Sequence, residues 1–259
     1  MKPVTLITGA SAGIGTALAH VFAGHGHALV LVARREAQLK QVADTIEARG
    51  KARPRIMAAD LAAPGAADRI EGELSGAGLE VQFLVNNAGF GLIGLAASLE
   101  RNEQLGMIDL NVRVLTDLSI RFIGSMSRHK GGILNVASVA SFMPGPGMAV
   151  YHATKAYVLS FSEALHQELR PSGVRVTALC PGPVETEFQA RAGMPDNYFP
   201  RKLARSAERV ANEGYEGLMR NRRIVVPGFD NRMLTLLPRL LSRRRVLALM
   251  TKFRERRIR

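Results

Sequence analysis

Short apolar runs rich in Val, Ile and Leu alternate along the chain with stretches whose apolar residues recur every three to four positions. The runs 4–8, 29–33, 55–59, 81–86, 132–138, 174–180 and 223–226 predict strands. The periodic stretches 13–23, 36–49, 66–74, 103–128, 149–169 and 207–220 predict the helices between them. Strands that are apolar throughout belong to a parallel sheet covered by helices on both faces. Right-handed crossovers wind such units into a doubly wound α/β sheet, with ligands at the carboxyl ends of the strands. Neither a Gly/Ser linker nor a composition break divides residues 1–225, and no repeat is visible, so one domain is expected over 1–259.

Beyond residue 230 the periodicity continues in a different key. Met233, Leu234, Leu236, Leu237, Leu240 and Leu241 recur at helical spacing, followed by Val246, Leu249, Met250 and Phe253. Among them lie Arg239, Arg243, Arg244, Arg245, Lys252, Arg254, Arg256 and Arg257, and Pro238 is expected to kink or split the helix. Residues 230–259 therefore read as a basic amphipathic extension. It either docks on its own domain or a sister subunit, or lies in an anionic membrane interface.

Composition changes this picture little, and charge changes it more. A chain of 259 residues, 47% hydrophobic, buries a full core without staples. Its single cysteine, Cys180, sits in an apolar run and reads as a buried, inert thiol that asks for no oxidising compartment. No run reaches the ~18–20 apolar residues of a membrane span, and the start of the chain is too short for a signal peptide, so a cytoplasmic location is expected. The formal net charge is +13, but residues 1–200 hold 18 Lys+Arg against 17 Asp+Glu, and residues 201–259 hold 17 against 5. The basicity belongs to the tail, which argues against a nucleic-acid surface spread over the body. His25 and His27 lack companion ligands, so no metal is expected, only an exposed loop.

Between the first strand and first helix runs Thr8-Gly9-Ala10-Ser11-Ala12-Gly13-Ile14-Gly15. Glycines there permit a tight turn and close backbone approach to a pyrophosphate, and the helix N-terminus offers free N–H groups to the anion. Taken alone the turn is also compatible with a purely structural role. Tyr151 and Lys155, four apart, share a helix face, and an ammonium near a phenol makes an acid/base pair; isolated, the same spacing occurs on many surfaces.

The spacing G-x-x-x-G-x-G, joined by Asn86-Asn87-Ala88-Gly89, by Ser138, by Tyr151 to Lys155 and by Pro181-Gly182 after the sixth run, resembles the short-chain dehydrogenase/reductase family from residue 3 to about 227. In organisation the chain is similar to a bacterial subgroup related to 3-oxoacyl-CoA reductases and hydroxysteroid dehydrogenases. The resemblance implies a single Rossmann-type sheet of about seven strands, ordered 3-2-1-4-5-6-7, and an NAD(P)-dependent oxidoreductase acting on a carbonyl or alcohol. It also implies a homodimer or homotetramer built on the Asn111 and Tyr151 helices.

On this resemblance Ser138 donates to the substrate oxygen, Tyr151 supplies its proton, Lys155 supports the phenol, and Asn111 orders a water behind Lys155. Gly9, Gly13, Ile14 and Gly15 cradle the diphosphate. Asp60 and Leu61 border the adenine, Asn87, Ala88 and Gly89 hold the adenosine side, and Pro181, Gly182, Val184 and Thr186 hold the carboxamide end. Where NAD-preferring members carry an acid, this chain has Ala33 followed by Arg34 and Arg35. A guanidinium favours a 2′-phosphate that a carboxylate would repel, so NADP(H) is expected, with Arg34 the first ligand and Ser11 a second.

Phe90, Leu92, Ile93, Phe142, Met143 and Met148, with Phe188, Met194, Tyr198 and Phe199 of a lid at 185–205, suggest a hydrophobic ketone, aldehyde or 3-oxoacyl substrate. Arg191, Arg201 and Lys202 leave an anionic thioester open. A non-catalytic NADPH-sensing or membrane-recruited binding protein is the alternative, though a pure binder has no need of Ser138 and Tyr151 together.

Overall fold

All seven predicted strands form in a computed structural model that describes residues 1–195, 198, 199 and 204–257. They are β1 (Lys2–Thr8), β2 (Leu29–Ala33), β3 (Arg55–Ala58), β4 (Leu79–Asn86), β5 (Gly132–Val136), β6 (Arg175–Leu179) and β7 (Ile224–Val225). Every pairing is parallel, in the expected order β3-β2-β1-β4-β5-β6-β7. Successive strand residues leave for opposite faces. Leu29, Leu31 and Ala33 join Ile7, Phe83 and Val85 in one core, while Val30 and Val32 join Val4, Leu6 and Leu84 in the other.

Helices α1 (Gly13–Gly24) and α2 (Glu36–Ala48) close the first face through Leu18, Phe22, Leu39 and Ile46. On the second face α3 (Ala66–Gly76) contributes Ile70 and Leu74. The one helix predicted over 103–128 is divided into α4 (Arg101–Ile108), a π-helical turn Asp109–Val114, α5 (Leu115–Arg121) and α6 (Ile123–Arg128). Apolar periodicity does not register the change, because a π turn inserts only about one residue. Its cause is tertiary: Asn111, inside the turn, bonds the backbone of Phe90. Leu118, Met126 and, from α7 (Ala149–Glu168), Leu165 complete the second face, and α9 (Ala207–Met219) completes the first with Val210 and Leu218. Between α7 and α9 lies the short α8 (Glu187–Arg191).

Under the carboxyl ends of β4 and β5 runs a buried polar ladder. Asn86 Nδ2 donates to Asn135 Oδ1 and to Ser119 Oγ, both at 2.9 Å, and Asn135 Nδ2 donates to Ser162 Oγ at 2.9 Å. It ties two strands to α5 and α7 beneath the NNAG turn. Asn135→Leu conserves volume but strips these partners, so a loss of about 1–3 kcal/mol is expected as a lower thermal midpoint. An unchanged midpoint would contradict the ladder's role.

The tail forms α10 (Phe229–Leu240) and α11 (Arg243–Arg257). Pro238 does not split it: α10 continues to Leu240, and the break falls at Leu241, whose N–H still reaches Leu237 O at 3.0 Å. Proline in the final turn removes a single intrahelical bond, which a helix end tolerates. Ser242 Oγ then accepts the N–H of Arg245 at 3.4 Å and starts the next helix. The inner side of the tail is docked: Asn231 packs on Gly182, and Thr235 and Val246 are buried. Its outer side leaves Phe229, Leu236, Leu240, Leu247 and Leu249 exposed.

One expectation changes, at the histidine loop. His25 is exposed and stacks on Tyr215, ring centroids 4.2 Å apart, but His27 is half-buried among Phe22, Phe83 and Tyr215 rather than in open solvent. The loop packs on α9, and burial lowers the His27 pKa. Cys180 is buried as expected, and burial pushes its thiol up to about 12. No helix among the described residues is long and apolar enough to cross a membrane.

Candidate active site

The glycine-rich turn joins β1 to α1 and is stitched to the end of β4. Thr8 Oγ1 donates to Val85 O and accepts the N–H groups of Asn87 and Ala88 at 3.0 and 3.1 Å. Asn87 Nδ2 returns two bonds, to Thr8 O at 3.0 Å and Gly9 O at 3.1 Å. Both hydrogens of the Asn87 amide are therefore bonded within the protein. Gly9 has φ of +65°, and a Cβ there would stand 2.8 Å from the Ala88 backbone. Only glycine allows the two turns to approach so closely. α1 begins at Gly13 with no side-chain cap and no acidic residue in its first turn, which leaves its first N–H groups for an anion. A dinucleotide diphosphate fits this donor set.

At the end of β2 both arginines are exposed, but they are not equivalent. Arg35, not Arg34, reaches Ser11, donating to its Oγ at 3.4 Å, and it also pairs with Glu187 of α8 at 2.8 Å. Arg191, on the same short helix, sits over the Phe90 ring at 4.5 Å. Burial, then Arg34 and Arg35, lowers its pKa. Asp60 turns back onto the N–H of Ala62 at 3.1 Å, and the Leu61 side chain is in the core. Ile14, in the first turn of α1, packs on the core, and Val184 is buried, bridging in parallel to Arg205. Thr186 caps α8 and stands over Gly13, whose Cβ would come within 2.9 Å of its methyl group. Pro181 accepts the N–H of Val139 at 2.9 Å, which brings the strand-end segment at 181–182 beside Ser138.

Ser138, two residues past β5, begins the 3₁₀ turn Val139–Phe142, its Oγ accepting the N–H of Ala140 at 3.1 Å. Ser141 Oγ donates to Lys155 O at 2.7 Å and so fastens this turn to α7. Tyr151 and Lys155 lie one turn apart on α7, with Nζ 5.9 Å from the phenol ring. Nζ itself is buried and donates to Val136 O at 2.7 Å. Burial pushes the Tyr151 phenol up to about 12, against a downward pull from its bond with Ser138, and burial lowers Lys155 to about 8. The phenol is thus held protonated at neutral pH, the state of a proton donor rather than a base.

Asn111 Oδ1 and Lys155 Nζ meet at Gly89: a Cβ there would stand 2.8 Å from the first and 3.6 Å from the second. The Asn111 amide donates to Phe90 O at 2.9 Å and Thr154 Oγ1 at 3.1 Å. Sequence reasoning assigned no task to Thr8, Ser141 or Thr154, which hold the turns and helices together here. Thr8 borders the glycine motif, but no spacing rule marks the others, because their partners are distant in sequence.

Around the phenol, Met148, Ala192, Met194 and Tyr198 form a small apolar core, with Ile93, Phe188, Phe199 and Phe253 against it. A cavity beside Tyr151 is lined by Leu92, Leu99, Met107 and Met148, with Gln104 its polar member. Phe142 instead packs toward Leu115 and Val158 under the sheet edge, so it leaves the expected set. His152 points away from the phenol and donates from Nδ1 to Met143 O at 2.7 Å. Arg201 and Lys202 lie outside the described residues, as do the side chains of Arg256 and Arg257.

A Rossmann sheet with this Ser, Tyr and Lys arrangement defines a short-chain dehydrogenase/reductase. The family model for short chain dehydrogenases matches residues 3–196, and the chain belongs to that family. It is 38% identical over 221 residues to sulfoacetaldehyde reductase of Chromohalobacter salexigens, covering 82% of this chain and 87% of that one. It is 34% identical over 208 residues to human very-long-chain 3-oxoacyl-CoA reductase, covering 78% and 66%. Among solved structures, a short-chain dehydrogenase from Sphingobium yanoikuyae in complex with NADPH superimposes with a TM-score of 0.80 at 34% identity, covering 88% of each chain.

Proposed function

We propose that this oxidoreductase is an NADP(H)-dependent carbonyl reductase or alcohol dehydrogenase working as one domain. The observation that carries the reading is the placement of the Tyr151 phenol, bonded to Ser138 and with Lys155 Nζ 5.9 Å from its ring. NADP(H), when bound, supplies the hydride to a carbonyl carbon or takes it from a carbinol carbon. Ser138 Oγ donates to the carbonyl oxygen, orienting it and favouring the negative charge that grows there. Tyr151 gives that oxygen its proton, and Lys155, one turn on, stabilises the phenolate left behind. Asn111 holds the Phe90 backbone against this group and backs the proton path from Lys155.

For the cofactor, Ser11, Arg34 and Arg35 make a cationic end suited to a 2′-phosphate, and a relative that carries NADPH supports the same choice. The apolar surround of Tyr151 supports a hydrophobic ketone, aldehyde or 3-oxoacyl substrate. NADPH absorbance over a panel of steroid ketones, aromatic ketones and 3-oxoacyl thioesters tests this, and turnover confined to small polar hydroxy acids with no apolar portion would refute the apolar pocket. A non-catalytic NADPH sensor remains the second reading, and turnover of any panel member eliminates it.

Exposed Leu105, Ile108, Ile120 and Tyr157 on α4, α5 and α7 support a homodimer or homotetramer built on those helices. The outer apolar side of the tail, bordered by Arg239, Arg243, Arg244 and Arg245, supports peripheral contact of a cytoplasmic enzyme with an anionic membrane. Co-sedimentation with vesicles of phosphatidylserine and phosphatidylcholine is expected for the full chain and reduced for Leu240→Glu. Equal recovery of both without vesicle binding would contradict it.

A further inference from the structure

The C-terminal helix reaches the candidate active site itself. Phe253 enters the apolar cluster over Tyr151, its ring centroid 5.8 Å from Tyr198 and 6.4 Å from Phe199. The next residue, Arg254, lays its stem on Gly147, where a Cβ would stand 2.5 Å from Arg254 Cδ and 3.5 Å from Nε. Gly147 is fixed by its carbonyl, which accepts the N–H of Gly94 at 2.8 Å, and Gly94 and Met148 both line the cavity beside the phenol. Arg254 thus lies against the turn, between Gly94 and Met148, that borders the small cavity beside Tyr151.

Arg254 Nε is buried with no hydrogen-bond partner, and among the described residues no carboxylate pairs with the guanidinium. Other arginines of the fold behave differently: Arg35, Arg121 and Arg205 each meet a carboxylate, and Arg243, Arg244 and Arg245 stay in solvent. The start of α7, two residues beyond Gly147, has no acidic residue in its first turn and brings no balancing charge. A buried Nε–H without an acceptor is unfavourable, and a bound oxyanion would relieve it by accepting from Nε and the neighbouring terminal N–H.

We propose that Arg254 is the substrate-anion anchor: it binds a terminal carboxylate or sulfonate of an aldehyde or ketone whose carbonyl lies at Ser138 and Tyr151. An apolar connector between the two ends lies along Met148 and Phe253. The proposal rests on the reductase reading and narrows its substrate to carbonyl compounds with an anionic end.

The test compares succinic semialdehyde with its methyl ester, using the full-length enzyme, Arg254→Gln and Arg254→Lys with NADPH. Arg254→Gln is expected to raise KM for succinic semialdehyde roughly tenfold or more, with kcat and both constants for the ester little changed. Arg254→Lys is expected to recover part of the loss. Equal impairment on acid and ester overturns the anchor, because it reports a displaced helix. Equal KM values for acid and ester in the wild type overturn it too. Apart from turnover, calorimetry should detect 4-hydroxybutanoate binding to the enzyme–NADP+ complex and lose it in Arg254→Gln; equal heats from both proteins overturn the anchor. Failure to reduce any aldehyde or ketone overturns the reductase reading alone.

Discussion

Tyr151→Phe is expected to lower turnover by about 100-fold or more while NADPH binding is retained. The substitution removes one hydroxyl and keeps the ring, whose packing on Phe188 at 5.4 Å survives. What disappears is the proton that a developing alkoxide must receive. Burial holds that proton on the phenol, with its pKa pushed up to about 12, so the wild-type group enters the reduction in the correct form. Neither neighbour replaces it. Ser138 can stabilise the oxygen but would itself need a base to recover a proton, and Lys155 Nζ is directed at Val136 O. Turnover and NADPH fluorescence titration on the same preparation separate the two effects. A variant that keeps more than a few per cent of wild-type turnover contradicts the assignment.

Arg35→Ala is expected to raise KM for NADPH roughly 10- to 100-fold and to leave KM for NADH within about twofold, since a charge-assisted bond to a phosphate contributes ~1.5–3 kcal/mol. The structure moves the emphasis from Arg34 to Arg35, because Arg35 is the one that reaches Ser11. Glu187 competes for the same guanidinium at 2.8 Å, but both side chains are substantially exposed, 42% and 66%. Exposed pairs contribute about 0–1 kcal/mol, less than a phosphate would, so a 2′-phosphate is expected to displace Glu187 from Arg35. Steady-state kinetics with both cofactors read the outcome; a parallel loss for NADPH and NADH would mean that Arg35 serves the loop, not the 2′-phosphate.

The strands and most helices were legible because a parallel sheet buried on both faces leaves continuous apolar runs, and β2 appears with the predicted limits, Leu29–Ala33. Local motifs carried the site equally far: Gly9, Gly13, Gly15, Ser138, Tyr151 and Lys155 need only a strand end or a helix turn to be positioned. What the chain did not disclose depends on partners remote in sequence. The π turn at Asp109–Val114 exists with Phe90 as partner, 21 positions from Asn111. The Asn87 amide bonds Thr8 and Gly9, 79 and 78 positions away, a link that no local spacing announces. The tail's basic, apolar pattern announced helices but not that Phe253 closes over Tyr198, or that Arg254 lies on Gly147.

Direct hydride transfer to a carbonyl carbon, with the proton delivered by Tyr151, is open to an isotope test. NADPH carrying deuterium on one face of the nicotinamide C4 can be turned over with a ketone substrate found in the panel, and the alcohol product analysed by mass spectrometry. With one of the two deuterated epimers, essentially every product molecule is expected to carry one deuterium on the carbinol carbon, and with the other none. Product free of deuterium with both epimers, or equal labelling from each, would contradict it.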